Sequence, residues 1–156
     1  MPLLSTPKID IATELLHSSL QHFYSDPPKD FSAICLAGAA EELFGKHVES
    51  KGGISAFASL REGAVRILSS MFNTDLQHES VTRKEIGDLM NKAKNSTKHM
   101  GISGDDFIHF NPHEEAKNLI DRAMTNFYHA SKYFDLIETD LMLRFNSEQV
   151  SDINIV

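Results

Sequence analysis

Apolar residues recur every three or four positions along most of the chain, which is the periodicity of amphipathic α-helices. Helix breakers separate these stretches: Asp26-Pro27-Pro28 follows the first, and Gly52-Gly53 follows the second. No stretch alternates strongly between apolar and polar residues, as a half-buried strand would. The pattern therefore predicts an all-α protein, an up-and-down bundle of four to five helices. These helices are expected over about residues 7–24, 31–49, 56–72, 83–99 and from 111 onward.

Capping residues support these starts. The expected caps are Thr6 before Pro7, Asp30, Ser55, the capping box Thr82 and Glu85, and Asn111-Pro112. Because neither Gly nor Pro interrupts the fifth stretch, this helix can continue past Arg144. The whole is expected to be one domain over residues 1–146, with a loosely ordered tail over residues 147–156.

The second helix is small or apolar on every side between Ala33 and Ala40, which predicts a central helix surrounded by others. The third helix is expected to face inward through Phe57, Leu60, Ala64, Ile67, Leu68 and Met71. For the fourth helix, the expected inner face is Ile86, Leu89, Met90 and Ala93. The long fifth helix carries an apolar stripe with two open interpretations, core packing or contact with a partner helix.

The chain has a net charge of −7 and one cysteine. An acidic chain does not favour broad nucleic-acid binding, although residues 83–99 carry five basic and only two acidic side chains. A single thiol cannot form an internal disulfide, and the N-terminus does not resemble a secretory signal. Since no apolar run is long enough for a membrane span, a cytoplasmic protein without membrane contact is expected.

Two glycines and two glutamates lie close together in the second helix. Gly38 and Gly45 are seven residues apart and share a face, so a neighbouring backbone approaches closely there or space is needed. At least one of Glu41 and Glu42 borders that face. A carboxylate near a core needs a donor or a cation, whereas the alternative places both glutamates in solvent.

The end of the fourth helix groups a cation, an amide and an imidazole. Asn95 and His99 are four residues apart and share a face, and Lys94 is expected to reach the same region. Histidine exchanges a proton near neutral pH, and lysine stabilises charge on a phosphoryl group. The open alternative is that Lys98 and His99 only complement the helix dipole.

Three segments together resemble a bacterial branch of the HEPN superfamily: residues 32–46, 94–99 and 110–116. The resemblance implies a short helical bundle, often homodimeric, and in many members a metal-independent endoribonuclease of toxin or defence systems. It implies that the RNA 2′-hydroxyl is the nucleophile, with neither metal nor cofactor. It also implies roles for five residues: His99 as acid–base, Lys94 as phosphate cation, Asn95 as orienting group, and Glu41 or Glu42 as helix-two partner.

The family's motif is an arginine, usually followed by a polar residue, with a histidine four to six residues beyond the arginine. This sequence departs from the motif at its first position, where Lys94 replaces the arginine. Lysine lacks the planar fork that holds a phosphate through two hydrogen bonds. Two hypotheses therefore remain, a dimeric HEPN-like ribonuclease or RNA-binding module, and a catalytically degenerate bundle that binds a partner protein as an antitoxin-like or regulatory module. A third interpretation is a small-molecule pocket at Gly38–Gly45.

Overall fold

The structure, a computed structural model, describes residues 3–72, 76–101 and 105–153. Six α-helices lie in these ranges: α1 (Lys8–Phe23), α2 (Asp30–Ser50), α3 (Ala56–Phe72), α4 (Leu76–Lys98), α5 (Pro112–Ala130) and α6 (Asp140–Ile153). The all-α prediction is confirmed, whereas the described helices number six instead of four or five. None of them has both the length and the apolar character of a membrane span.

The alanine-rich α2 is the central helix, as predicted. Its main packing partners are α5 on one side and α1 on the other. Ala33, Ala37 and Ala40 are fully buried, and their small side chains let the flanking helices approach closely. The large core residues Phe44 and Phe127 meet edge-to-face, with ring centroids 5.7 Å apart. The core therefore lies along the length of α2.

Two of the predicted caps are present. The side chain of Asn111 accepts hydrogen bonds from the backbone N–H groups of His113 (3.0 Å) and Glu114 (3.3 Å). The hydroxyl of Ser55 accepts from the backbone N–H of Ala58 at 3.3 Å. Both residues satisfy N–H groups that the first turn of a helix leaves without partners.

The other predicted caps are wrong. No side-chain hydrogen bond caps α1 in the described residues, so Thr6 does not have this role. Asp30 is the first residue of α2, and its Oδ1 lies 2.8 Å from Nδ1 of His113 instead. Thr82 and Glu85 lie inside α4, which begins earlier than predicted.

The fifth helix ends at Ala130 and does not continue past Arg144, contrary to the expectation from its unbroken sequence. A turn follows, and the ring of Phe134 packs edge-on against His47 of α2, with ring centroids 5.4 Å apart. This tertiary contact turns the chain back towards α1, which a continuous helix would prevent. The apolar stripe of α5 itself is core, because Leu119, Ala123 and Phe127 are buried.

The chain after this turn forms α6, which packs against α1. Met142 and Phe145 are fully buried and belong to the main core. Residues 147–153, which the sequence analysis assigned to a loosely ordered tail, lie in this helix. The last three residues of that tail, 154–156, lie outside the described residues.

The predicted inner face of α3 is wrong in part: Phe57, Ala64 and Leu68 are half-buried, but the other three residues are exposed. Leu60, Ile67 and Met71 are 54%, 62% and 70% exposed. The helix instead packs through Val65, which is buried, while Glu62 accepts two hydrogen bonds from Arg83 of α4 (2.6 and 3.0 Å). These contacts rotate the apolar residues outward. We call Leu60, Ala64, Ile67 and Met71 the α3 stripe.

The inner face of α4 is only partly as predicted. Ala93 is buried, and Ile86 and Met90 are half-buried, but Leu89 is exposed. The cause is the same as for α3, since the two helices pack mainly on each other and have fewer contacts with α2 and α5. The pair formed by α3 and α4 therefore leaves apolar side chains on the surface.

Candidate functional site

Lys94 crosses the central helix at Gly38. A β-carbon built on Gly38 would lie 2.5 Å from Cδ and 2.8 Å from Cγ of Lys94, which is closer than real contacts allow. The glycine therefore makes room for the aliphatic part of this lysine. Of the two explanations that the sequence left open for Gly38, the need for space holds, because the atoms nearest to the β-carbon position belong to a side chain and not to a neighbouring backbone.

The ammonium group of Lys94 reaches both glutamates of α2. Nζ donates to Oε1 of Glu42 at 2.5 Å and lies 3.9 Å from Oε2 of Glu41. The side chain of Glu41 is only 4% exposed, whereas that of Glu42 is 60% exposed. Glu41 is thus the buried partner, and Glu42 is the partner at the rim.

Arg122 of α5 joins Lys94, Glu41 and Glu42 in a group of four charges, which we call the ionic cluster, and the sequence did not predict Arg122 as a member. Its Nη2 lies 3.6 Å from Oε2 of Glu41, and its Nη1 donates to the backbone oxygen of Met90 at 3.3 Å. Nε and Nη2 have no hydrogen-bond acceptor among the described residues. Arg122 follows Leu119 by three positions, at the edge of an apolar face, so periodicity alone could not distinguish it from a solvent-exposed arginine.

The two carboxylates have opposite pKa shifts. Burial raises the pKa of Glu41, and the nearby positive charges of Arg122 and Lys94 oppose that effect. The hydrogen bond from Lys94 lowers the pKa of Glu42, while partial burial acts in the other direction. With both carboxylates ionised, two negative and two positive charges balance, as partly buried charges require.

Gly45 admits a second buried polar group, the amide of Asn126. A β-carbon on Gly45 would lie 3.2 Å from Nδ2 of Asn126. That nitrogen donates to the backbone oxygen of Glu41 at 3.0 Å, and Oδ1 accepts from the backbone N–H of Ala56 at 2.7 Å. Asn126 therefore ties α2, α3 and α5 together beside the ionic cluster.

A cleft of about 470 Å³ opens between α2, α3 and α4. Its apolar wall includes Ala39, Leu43 and Phe57, and its polar groups include Glu42, Asn91 and Lys94. Most of its lining residues are polar or charged, with the carboxylates of Glu41, Glu42 and Glu49 among them. A concave cleft of this size is typical of small-molecule sites. It lies where the third interpretation of the sequence expected a pocket.

The structure does not bring Asn95 and His99 to this cleft. His99 follows the last residue of α4, is exposed, and borders a separate depression with Asp105 and Asp106. Asn95 is also exposed. Lys94 and His99 are five residues apart, which corresponds to about 140° around an α-helix. Lys94 therefore faces α2, and the expected convergence with the amide and the imidazole is not found.

Metal ligation was not expected from the sequence. Within the described ranges, no group of three or more His, Cys, Asp or Glu side chains is arranged to hold a metal ion. Asp30 and His113 form a pair, and the imidazole of His113 also stacks on the ring of Phe23 with a centroid distance of 4.5 Å. These contacts connect the starts of α2 and α5 to the end of α1.

No protein-family model, curated protein or solved structure matches the chain. The function must therefore be inferred from its own residues. Two features are relevant, the ionic cluster beneath the cleft and the exposed α3 stripe.

Proposed function

We propose that this protein is a HEPN-like helical module of the cytoplasm that acts through protein contacts, the catalytically degenerate alternative of the sequence analysis. The proposed partner is a second copy of the chain, bound through the α3 stripe. The exposure of that stripe carries the proposal.

The α3 stripe has the spacing of a helix–helix seam. Its four residues follow one another at intervals of four, three and four, which is the a/d pattern of a coiled coil. Leu60, Ile67 and Met71 are all more than half exposed. A β-carbon on the neighbouring Gly63 would meet nothing within 4 Å, so the surface beside the stripe is open. Aligned apolar side chains on a surface are a typical mark of an interaction site.

The charge distribution favours a second copy on this face. Residues 56–98, which span α3 and α4, carry seven basic and five acidic residues, a net charge of +2, and one of the seven, Lys94, lies inside the bundle. The whole chain has −7, which leaves −9 for the remainder. Two copies repel each other when their acidic parts meet, and this repulsion is weakest where α3 and α4 form the contact. The same face is also the apolar one.

The ionic cluster gives less support to the ribonuclease hypothesis. The ammonium group of Lys94 is held by Glu42 and lies near Glu41, inside the bundle. His99 lies in a different depression at the end of α4. General acid–base chemistry and charge stabilisation at one phosphate need both groups near the same atoms.

Sedimentation equilibrium tests the proposal with two variants, each of which replaces an exposed isoleucine by glutamate. Ile67→Glu places a carboxylate in the α3 stripe, and Ile137→Glu places one at an exposed site between α5 and α6. We expect the wild type and Ile137→Glu to form dimers. Ile67→Glu should be monomeric, since a central interface residue contributes about 2 kcal/mol or more.

Two results would contradict this proposal. One is a wild-type protein that stays monomeric at about 100 μM, well above a micromolar Kd. The other is a dimer that survives Ile67→Glu unchanged. If the wild type is monomeric and the α3 stripe instead binds an acidic protein or RNA, the second copy is the wrong partner.

A further inference from the structure

The buried charges of the ionic cluster do not balance among themselves. Three charged side chains are buried in the described part of the chain, the cations Lys94 and Arg122 and the carboxylate Glu41. The second negative charge comes from Glu42, whose side chain is mostly in solvent. A buried cation needs a nearby anion, but nothing requires that anion to be covalently part of the bundle.

The cluster also has more hydrogen-bond donors than acceptors. Lys94 has three N–H groups and Arg122 has five. Oε2 of Glu41 is near both cations, at 3.9 and 3.6 Å, beyond good hydrogen-bond distance. Nε and Nη2 of Arg122 have no acceptor among the described residues. Of the two buried cations, Lys94 lines the cleft and Arg122 does not, so the capacity for a further anionic group in the cleft lies at Nζ of Lys94.

Glu42 is positioned to move aside. Lys94 is its hydrogen-bond partner, and the carboxylate lies on the rim of the 470 Å³ cleft. Lys46 and Lys98 are close enough to act on its charge, and both are exposed. Rotation of Glu42 into solvent would leave Nζ of Lys94 at the wall of the cleft, facing space that a ligand could fill.

We propose that the cleft between α2, α3 and α4 binds a small organic oxyanion at Lys94, and that Glu42 occupies the position of that anion until it arrives. The oxyanion, a carboxylate or a phosphate monoester, replaces the carboxylate of Glu42 as the partner of Lys94. Its apolar body packs against Leu43 and Phe57. This ligand site is separate from the α3 stripe and does not depend on self-association.

Removal of the competing carboxylate tests the proposal directly. Glu42→Gln and the control Glu14→Gln make the same chemical change, but Glu14 lies on the exposed surface of α1. The probe is phenyl phosphate, titrated by calorimetry at constant ionic strength. We expect Glu42→Gln to bind with about a tenfold lower Kd than the wild type, a change of about 1.4 kcal/mol. Glu14→Gln should bind like the wild type, and Glu42→Gln with Lys94→Met should lose binding.

The proposal is overturned if Glu42→Gln and Glu14→Gln bind the probe equally, or if binding survives Lys94→Met. Since Lys94→Met could fail to fold, a second measurement uses Glu42→Gln alone. Amide chemical shifts are followed during the titration. Phenyl phosphate should shift the amides of Gly45 and Phe57, both of which line the cleft. Shifts confined to other surfaces would also overturn it.

Discussion

The side chain of Lys94 packs directly against Gly38. A β-carbon built on Gly38 would lie only 2.5 Å from Cδ of the lysine. The ammonium end of the lysine is held by Glu42, so its middle carbons have little freedom to move. Gly38→Ala should therefore lower the free energy of unfolding by about 1–3 kcal/mol, the usual cost of overpacking. Urea denaturation measures this change.

Gly63→Ala is the matched control in α3. A β-carbon there meets nothing within 4 Å, so the change should raise the free energy of unfolding by up to about 1 kcal/mol through helix propensity. Both changes are best made in Ile67→Glu, where self-association does not contribute. Equal effects of the two substitutions on the free energy of unfolding would show that the position of the Lys94 side chain does not depend on the space left by Gly38.

The adjacent carboxylates of α2 should give opposite pH dependences. The pKa of Glu42 is lowered from its ordinary value of 4.5, so its contribution to stability is present above pH 4.5 and is lost as pH falls through the lowered value. The pKa of Glu41 is raised from the same value, so its contribution is present below pH 4.5 and is lost as pH rises through the raised value.

Urea unfolding of the wild type, Glu41→Gln and Glu42→Gln between pH 3 and 8 measures these contributions. The stability difference between the wild type and Glu42→Gln should shrink below about pH 4.5. Relative to Glu41→Gln, the wild type should gain stability as pH falls towards that value. If the two stability differences, wild type minus Glu41→Gln and wild type minus Glu42→Gln, changed in the same direction with pH, the assignment of one buried and one exposed carboxylate would be contradicted.

Asn126 should be a strong stabilising residue despite its polar side chain. Asn126→Ala leaves the backbone oxygen of Glu41 and the backbone N–H of Ala56 without partners inside the bundle. We expect a loss of about 2–4 kcal/mol, one desolvation penalty for each group. Thermal unfolding of Asn126→Ala and of the exposed control Asn95→Ala would measure it. The control should stay within about 0.5 kcal/mol of the wild type, and a similar small effect at Asn126 would refute the role.

The sequence predicts the central helix of this protein better than the orientation of α3 or the end of α5. Residues between Ala33 and Ala40 are small or apolar on all sides, and only a central helix fits such a pattern. The cap at Asn111 is equally local, because it needs only an amide and the next turn of backbone. Both features depend on residues close in sequence, although equally local signals predicted caps at Thr6, Asp30 and Thr82 that are wrong.

The α3 stripe could not be assigned from the sequence. Periodicity identifies an apolar face, but it does not say whether that face meets the same chain or another one. Glu62 of α3 is hydrogen-bonded to Arg83 of α4, and these two residues are distant in sequence. The turn after Ala130 has a similar cause, since the contact of Phe134 with His47 is long-range.

The candidate site was predicted in part. Lys94, Glu41 and Glu42 do lie together, because a buried glutamate needs a cation and the glycine at position 38 leaves space for one. Arg122 gave no signal, since one arginine at the edge of an apolar face is common on helix surfaces. His99 was grouped with Lys94 by closeness in sequence, although five residues along a helix separate side chains by about 140°.

The purified protein should have no RNA cleavage that depends on His99. In this structure the imidazole and the ammonium group of Lys94 line different depressions, and chemistry at one phosphate needs both groups near the same atoms. Single-stranded RNA incubated in EDTA should show equal background cleavage with the wild type and His99→Ala. Lys94→Arg should not create activity. Cleavage by the wild type that a folded His99→Ala lacks would restore the ribonuclease hypothesis.

Site-specific cross-linking tests the proposed pairing of two copies most directly. Cys35, the single native cysteine, is first replaced by serine. Ala64→Cys then places a thiol in the middle of the α3 stripe, and Gln21→Cys places one on the exposed surface of α1. A short bis-maleimide should link two chains efficiently through position 64 and poorly through position 21, because a two-fold pairing of the stripe keeps both copies of residue 64 close. Equal, low yields at both positions would contradict the account.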